Sequence, residues 1–219
     1  MKQVYFGTRI FDGERFHDDA ALVIDGAYIA GIIPFAERPT DARQHDCGGD
    51  GFITPGFIDA QVNGGGGVLF NATPTVEALM EIATAHRAFG TTALLPTVIT
   101  DEPQILDAAL DAATAAQKSI KSVIGIHVEG PFIDKDRAGA HRADFIRPMS
   151  EKDADRLIAK KSGVMMVTLS PKSASPALIQ KLARAGIIVS LGHTDLTDAE
   201  AFAAFNQGAS AVTLSLIHI

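Results

Sequence analysis

The sequence predicts an α/β protein with a parallel sheet, because strand-like and helix-like segments alternate along most of its 219 residues. The strand-like segments are nearly continuous apolar runs, as expected of strands that are covered on both faces. Polar residues follow the ends of three such runs, near positions 59, 129 and 193. Because (β/α)8 barrels keep their active sites at the carboxyl ends of their strands, this pattern favours part of such a barrel.

Residues 1–50 predict a small antiparallel β unit that precedes the barrel. Asp-Gly dipeptides at 12–13 and 25–26 favour tight hairpin turns between short runs such as 28–33. These runs are too short and too few to form a core of their own. We expect the boundary of this unit near residue 50, where the polar stretch 39–51 becomes rich in glycine.

Residues 51–213 predict the first six strands of a (β/α)8 barrel. We expect strands to begin near residues 52, 91, 122, 163, 187 and 209, the first being the run 52–58. We expect helices over 76–89, where Thr73-Pro74 forms the cap, over 103–116, and after Ser150, Ser175 and Thr197. Eight such units close a barrel of about 250 residues. The glycines at 64–67 lack the spacing of a dinucleotide-binding loop, which argues against a doubly wound sheet.

The composition excludes several kinds of partner. The formal net charge of -7 argues against nucleic acid or an anionic membrane, since both require clustered Lys and Arg. Residues 1–16 contain scattered charges and no apolar core of signal-peptide length, and no later run approaches roughly 20 apolar residues, so we expect a cytoplasmic protein. A single cysteine, Cys47, provides neither an internal disulfide nor a Cys-x-x-Cys motif.

Glu129 and His193 are candidate metal ligands at two predicted strand ends. His127 and Glu129 are two apart, so they point to the same side of their strand. A carboxylate oxygen with an imidazole nitrogen suits zinc or another divalent transition metal. The alternative is a structural carboxylate bonded to an imidazole or a backbone amide. The glycines at 130 and 192 are expected to leave space for a ligand, which favours the metal.

Three further residues are candidates with two interpretations each. His141 lies in a polar, glycine-containing loop, where it either contacts substrate and polarises a carbonyl or is a solvated histidine. Gln61 and Asn63 share a strand face and either form the floor of the site with His127 or hydrogen-bond to nearby backbone groups.

Five segments together resemble the N-acetylglucosamine-6-phosphate deacetylases of the amidohydrolase superfamily. These segments are Gly51-Phe-Ile-Thr-Pro-Gly-Phe-Ile-Asp59, His127-Val-Glu-Gly-Pro-Phe132, Gly139-Ala-His141, Leu191-Gly-His-Thr194 and Gly208-Ala-Ser-Ala-Val-Thr213. The resemblance implies a (β/α)8 TIM barrel of the metal-dependent hydrolase type, with a small β-sandwich built partly from the N-terminal residues. Many amidohydrolases carry His-x-His after the first strand; Gln61-Val62-Asn63 resembles the branch that keeps one metal.

The same resemblance implies an activity and a role for each site residue. Glu129 and His193 would bind one divalent metal ion, with zinc as the expected identity. Ala140 through its backbone and His141 through its ring would contact substrate. A metal-activated water would hydrolyse N-acetylglucosamine 6-phosphate to glucosamine 6-phosphate and acetate. The small-molecule partner would be an amino-sugar phosphate, and the protein would form a homodimer.

The resemblance ends after Thr213. The family continues with His-Leu-Phe-Asn-Ala-Met, whose histidine is a third metal ligand, whereas residues 214–219 read Leu-Ser-Leu-Ile-His-Ile. His218 is four positions beyond the expected ligand, so we do not expect it to act as a replacement. We expect 214–219 to be a non-native tail of a truncated chain that lacks the family's catalytic aspartate and has little or no activity.

Two other functions are compatible with the same residues. One is a different amidohydrolase that acts on another amide, such as a cyclic one, through the same metal chemistry. The other is a non-catalytic remnant, structural or binding a sugar phosphate, that retains Glu129 and His193 without a functional metal.

Overall fold

The computed structural model describes residues 1–214 and divides into two compact units, Met1–Gly56 and Phe57–Ile219. The strands of the first unit are β1 (Lys2–Phe6), β2 (Arg9–Phe11), β3 (Phe16–His17), β4 (Ala20–Asp25), β5 (Tyr28–Pro34), β6 (Arg43–Asp46) and β7 (Phe52–Ile53). They form two small sheets, in the orders β5-β4-β1-β6 and β3-β2-β7. The proposed tail at 214–219 lies outside the described residues except for Leu214, as does His218.

The prediction of an antiparallel first unit is wrong, because its sheets contain both antiparallel and parallel pairs. The hairpin partners β4 and β5 are antiparallel, but β6 runs parallel to β1 and β7 runs parallel to β2. A two-residue turn identifies an antiparallel neighbour, whereas a parallel pair joins segments far apart in the chain and has no such local signal. Its buried apolar cluster is small and consists of Val4, Ala21 and Val23.

The second unit contains a curled, parallel, half-barrel sheet with helices packed against it. Its strands are β8 (Phe57–Val62), β9 (Gly64–Gly65), β10 (Val68–Leu69), β11 (Thr91–Ile99), β12 (Gly125–Glu129), β13 (Val164–Leu169), β14 (Ile188–Leu191) and β15 (Ala209–Val212). Its helices are α1 (Val76–Arg87), α2 (Pro103–Ala116), α3 (Glu151–Lys160), α4 (Pro176–Arg184) and α5 (Asp198–Asn206). The six-stranded sheet has the order β15-β14-β13-β12-β11-β8, which confirms the predicted α/β class. None of the helices within residues 1–214 is long and apolar enough to cross a membrane.

Two predicted boundaries near the start of this unit are wrong. The run 52–58 is not one strand, because Pro55 has no N–H for a sheet ladder, and β8 begins only at Phe57. Asp59 and Gln61 therefore lie within β8 rather than after it. The cap of α1 is Thr75, whose side chain accepts a hydrogen bond from the Ala78 amide, and not Thr73.

Alternation along the strands separates the core from the site. In β12, Ile126 and Val128 belong to the apolar core, whereas His127 and Glu129 occupy the alternate positions. The same alternation holds in β13, where Thr168 lies between two core residues. Because successive side chains point to opposite faces, one face of the sheet packs in the core and the other carries polar groups.

An ion pair reinforces the start of α3. Ser150 and Asp153 form a capping box, as the serine predicts, and both guanidinium NH groups of Arg147 donate to Asp153 at 2.7 Å. The hydrogen bond from Arg147 holds the pKa of the Asp153 carboxyl well below its usual range, against the opposing effect of burial. The carboxylate therefore stabilises the folded state.

We expect Asp153→Asn to lower the free energy of unfolding at pH 7 by about 2 kcal/mol, because it removes hydrogen bonds to a charged group. The folded-state pKa is depressed, so this contribution is complete above the unfolded pKa of about 4 and diminishes as the pH falls below it. Urea unfolding of both proteins at pH 7 and at low pH measures the difference. Asp155→Asn is the control, since its solvent-screened ion pair with Lys181 should contribute little to stability. Equal losses in the two variants would contradict the prediction.

Candidate metal centre and active site

The structure brings Glu129, His141 and His193 together at the carboxyl end of the sheet. One potential ligand atom from each lies within 4.8 Å of the others. Glu129 is the last residue of β12, His141 lies in the loop that follows, and His193 comes two residues after β14. The His193 Nε2 lies 3.1 Å from Oε1 of Glu129, and the His141 Nε2 lies 3.9 Å from Oε2.

Gln61 orients the Glu129 carboxylate, whereas Asn63 does not contact it. The Gln61 side-chain amide donates to Oε1 at 3.1 Å and to Oε2 at 3.2 Å. The Asn63 amide instead donates to the backbone carbonyl of Thr97 at 3.5 Å. Of the two predicted floor residues, the structure therefore places Gln61, on β8, at the carboxylate and Asn63, just after β8, against the neighbouring strand.

His193 is held with its Nε2 towards Glu129. Its Nδ1 lies 2.9 Å from the carbonyl oxygen of Arg137, which can only accept, so Nδ1 carries a proton. The hydrogen bond to Glu129 raises the pKa of His193, against the opposing effect of burial. Its backbone φ is +49°, in the left-handed region that non-glycine residues seldom adopt. Such strain is concentrated at functional sites, where surrounding contacts maintain it.

His141 presents the opposite tautomer to the site. Its Nδ1 accepts a hydrogen bond from the backbone amide of Thr100 at 3.3 Å and lies 2.7 Å from the Thr100 hydroxyl. In the neutral ring the proton must then be on Nε2, which faces Glu129. Burial, together with the nearby His193, lowers the pKa of His141 to about 4, while Glu129 opposes the shift. His141 is therefore a neutral N–H donor near neutral pH.

The glycines beside the ligand residues make room for protein atoms. A Cβ on Gly130, whose φ is +78°, would lie 2.2 Å from the Thr100 hydroxyl. A Cβ on Gly192 would lie 2.7 Å from Cγ2 of Thr168. The expectation that these glycines leave space for a ligand is wrong, because threonine side chains fill that space. Their effect is indirect, since the approach of Thr100 is what holds His141.

His127 lies beneath the site with both ring nitrogens occupied. Nδ1 is 3.0 Å from the carbonyl oxygen of Ala60, and Nε2 is 2.7 Å from the hydroxyl of Thr168. The residue is 1% exposed. Both nitrogens are therefore used by neighbouring protein groups rather than directed at a ligand.

The charge of Glu129 fits a bound cation. The residue is 2% exposed. Burial raises its pKa, but the hydrogen bond from His193 and the three neighbouring imidazoles together hold the pKa below its ordinary value. Its ion-pair partners among residues 1–214 are histidines, with no Lys or Arg. A buried carboxylate without a permanent cation is costly, and oxygen with imidazole nitrogen is a donor set that suits a divalent transition metal.

Thr100 is a site residue that the sequence analysis missed. It directly follows the strand 91–99, and the other candidates were likewise found at the ends of strands. The residues that contact it, by contrast, are remote in sequence, since His141 is 41 residues away. Its role could therefore be found by position but not by motif.

An open cavity of about 610 Å³ lies against His193. Its lining includes Arg137, Thr194, Phe205 and Thr213. This volume falls within the range of small-molecule sites. Ala140 is exposed and directly precedes His141 in the same loop.

These features define a class of protein, a barrel-type hydrolase with a candidate carboxylate–histidine metal site at its strand ends. The chain belongs to the Amidohydrolase family, whose sequence model matches residues 52–214. This confirms the resemblance to the superfamily. The metal dependence of that family agrees with the donor set at Glu129 and His193.

The relatives with similar sequences are deacetylases of amino-sugar phosphates. An N-acetylgalactosamine-6-phosphate deacetylase from Shewanella sp. (strain ANA-3) is 36% identical over 209 residues, which cover 94% of this chain and 53% of that protein. An N-acetylglucosamine-6-phosphate deacetylase from Haemophilus influenzae is 34% identical, covering 97% and 56%. The chain thus spans about half the length of these curated relatives.

Solved structures of deacetylases have the same fold. The N-acetylglucosamine-6-phosphate deacetylase from Pasteurella multocida superimposes with a TM-score of 0.91 at 30% identity, over 97% of this chain and 56% of that one. A mutant of the enzyme from Mycobacterium smegmatis, in complex with N-acetyl-D-glucosamine-6-phosphate, has a TM-score of 0.81 at 28% identity, over 97% and 54%.

We expect Glu129→Gln to weaken zinc binding by roughly 100-fold or more, because it replaces an anionic ligand with a neutral amide of the same shape. Isothermal titration of the metal-free protein with zinc measures the effect. Glu102→Gln is the matched control, since this half-exposed carboxylate follows the neighbouring strand and pairs with Arg142. Equal zinc affinities in wild type and Glu129→Gln would exclude Glu129 as a ligand.

Proposed function

We propose that this protein hydrolyses the acetamide group of N-acetylated hexosamine 6-phosphates to a free amine and acetate. The observation that carries the proposal is the convergence of a buried carboxylate, Glu129, with two imidazoles, His193, whose Nε2 faces the carboxylate, and His141, whose Nε2 carries an N–H. The names of the relatives support the substrate class. The glucosamine derivative is the predicted substrate, but the galactosamine relative is equally similar, so the proposal covers both epimers.

Glu129 and His193 would hold one divalent ion, for which zinc is the expected identity. When bound, such an ion polarises the amide carbonyl and activates a water molecule. Gln61 keeps both carboxylate oxygens in place by donating to each. The Arg137 carbonyl fixes the tautomer of His193, so that Nε2 supplies its lone pair once its proton is displaced.

His141 is better suited to substrate than to the metal. Because its Nδ1 accepts from Thr100, its Nε2 carries a proton and cannot be a ligand in the neutral ring. The Nε2–H would donate to the amide oxygen of the substrate and to the negative charge that develops there during hydrolysis. The Ala140 backbone, beside it on the loop, would contact the same molecule.

The proposal extends to the behaviour of the 219 residues alone. Position 214, where the resembled family carries a third ligand, is leucine. We propose that turnover by this chain is slow for that reason, while metal and sugar binding persist. For the full-length protein we propose a homodimer in the cytoplasm, with an amino-sugar phosphate as its small-molecule partner.

The test is to bind N-acetylglucosamine 6-phosphate and N-acetylgalactosamine 6-phosphate to the zinc-loaded chain and to its Glu129→Gln variant. We expect saturation-transfer NMR signals from the acetamide methyl of at least one sugar with the wild-type chain, strongly reduced in the variant, and slow zinc-dependent release of acetate. A panel of cyclic amides is run in parallel. Hydrolysis of a cyclic amide without binding of either sugar would overturn the deacetylase assignment, and zinc binding without any substrate would favour a non-catalytic remnant.

We expect His141→Gln to leave zinc affinity within about twofold and to weaken sugar binding about 10-fold, the effect of one hydrogen bond. The reason is that His141 contacts substrate and not the metal. Zinc titration and sugar titration of the same variant separate the two roles. A loss of zinc affinity as large as that of Glu129→Gln would instead identify His141 as a third ligand.

A further inference from the structure

A chain of buried hydrogen bonds runs past the candidate metal centre, from His127, two positions before Glu129, to Thr168, which is in register with Glu129 on the neighbouring strand. His127 Nδ1 contacts the Ala60 carbonyl at 3.0 Å, and Nε2 contacts the Thr168 hydroxyl at 2.7 Å. The Thr168 hydroxyl lies 2.9 Å from that of Thr213, which also contacts the Ser190 hydroxyl. His127, Thr168 and Ser190 are almost fully inaccessible to solvent.

In this chain of hydrogen bonds, each group donates to the next one in the same direction. The Ala60 carbonyl can only accept, so Nδ1 of His127 donates and Nε2 accepts from Thr168. Each hydroxyl has one proton, so the Thr168 oxygen accepts from Thr213 and the Thr213 oxygen accepts from Ser190.

This chain of side-chain hydrogen bonds connects the two edge strands of the sheet, which share no backbone hydrogen bonds. Ala60 lies in β8 and Thr213 directly follows β15, and these are the first and last strands of the six-stranded sheet. Backbone pairing links only neighbours in that order. A side-chain connection between the two edges constrains how far the sheet curls.

The two ends of this connection lie beside the metal-site residues. Gln61, which follows Ala60, donates to Glu129. Ser190 lies three positions before His193 on β14. We propose that His127 is a positioning residue which, through Thr168 and Thr213, holds the curvature of the sheet at the value that brings Glu129 and His193 within reach of one ion. This inference rests on the proposed metal function.

Packing alone does not account for the arrangement. The polar side chains occupy the interior positions that branched apolar residues usually fill in such barrels. Buried polar groups are costly unless all are satisfied, and here each member bonds to the next. A shape-filling role would be indifferent to replacement of a hydroxyl by a methyl group, whereas a directional chain would not.

The test compares Thr168→Val, which keeps the shape and removes the hydroxyl, with Thr168→Ser, which keeps the hydroxyl. Ser122→Ala is the matched control, because the buried Ser122 hydroxyl has no hydrogen-bond partner within residues 1–214. We expect zinc affinity to fall about 10-fold in Thr168→Val and to change less than twofold in the other two variants. In ¹⁵N-histidine NMR of the wild-type chain, His127 should carry its proton on Nδ1.

The outcomes separate this inference from the proposed function. If the wild-type chain binds no zinc, both fail. If it binds zinc and Thr168→Val binds equally well, the positioning role is overturned while the metal site stands. If Thr168→Val does not fold, the Thr168→Ser variant and the NMR measurement decide. A 10-fold loss of zinc affinity in Thr168→Ser, or a proton on Nε2 of His127, would then overturn the proposed positioning role.

Discussion

The buried negative charge of Glu129 is the constraint on which the site depends. A carboxylate at 2% exposure must be compensated, and every neighbour contributes to that compensation. Gln61 donates to both oxygens and His193 directs its Nε2 at one of them, while His141 offers an N–H nearby. The result is an ionised group within a ring of neutral donors and imidazoles, an environment that attracts a divalent cation.

The fold meets this constraint through the alternation of side chains along parallel strands. Apolar residues of β12 and β13 pack in the core, which leaves the alternate positions for His127, Glu129 and Thr168. These alternate positions carry both the candidate ligand Glu129 and the hydrogen-bond chain through His127 and Thr168. The glycines at 130 and 192 leave room for the threonine side chains that approach them. Site geometry and strand packing are therefore parts of one arrangement.

The two candidate histidines differ because different backbone groups face their Nδ1 atoms. A carbonyl from Arg137 keeps the proton on Nδ1 of His193, and an amide from Thr100 keeps it off Nδ1 of His141. Consequently one ring is suited to supply a lone pair and the other an N–H. Similarity to the deacetylase structures extends over 97% of the chain, so these two histidine environments lie on a backbone similar to that of the deacetylases.

The sequence by itself determined the α/β class, most helix starts and the position of Glu129 and His193, because capping boxes, glycine stops and apolar runs act over a few neighbouring residues. The sequence did not predict the break in the run 52–58, the parallel strand pairs of the first unit, or the packing of threonine side chains against the glycines at 130 and 192. Only the tertiary structure decided that Thr100 orients His141, 41 residues away, and that His127 bonds to Thr168, also 41 residues away. Contacts between such distant segments depend on strand register and sheet curvature, which no local pattern encodes.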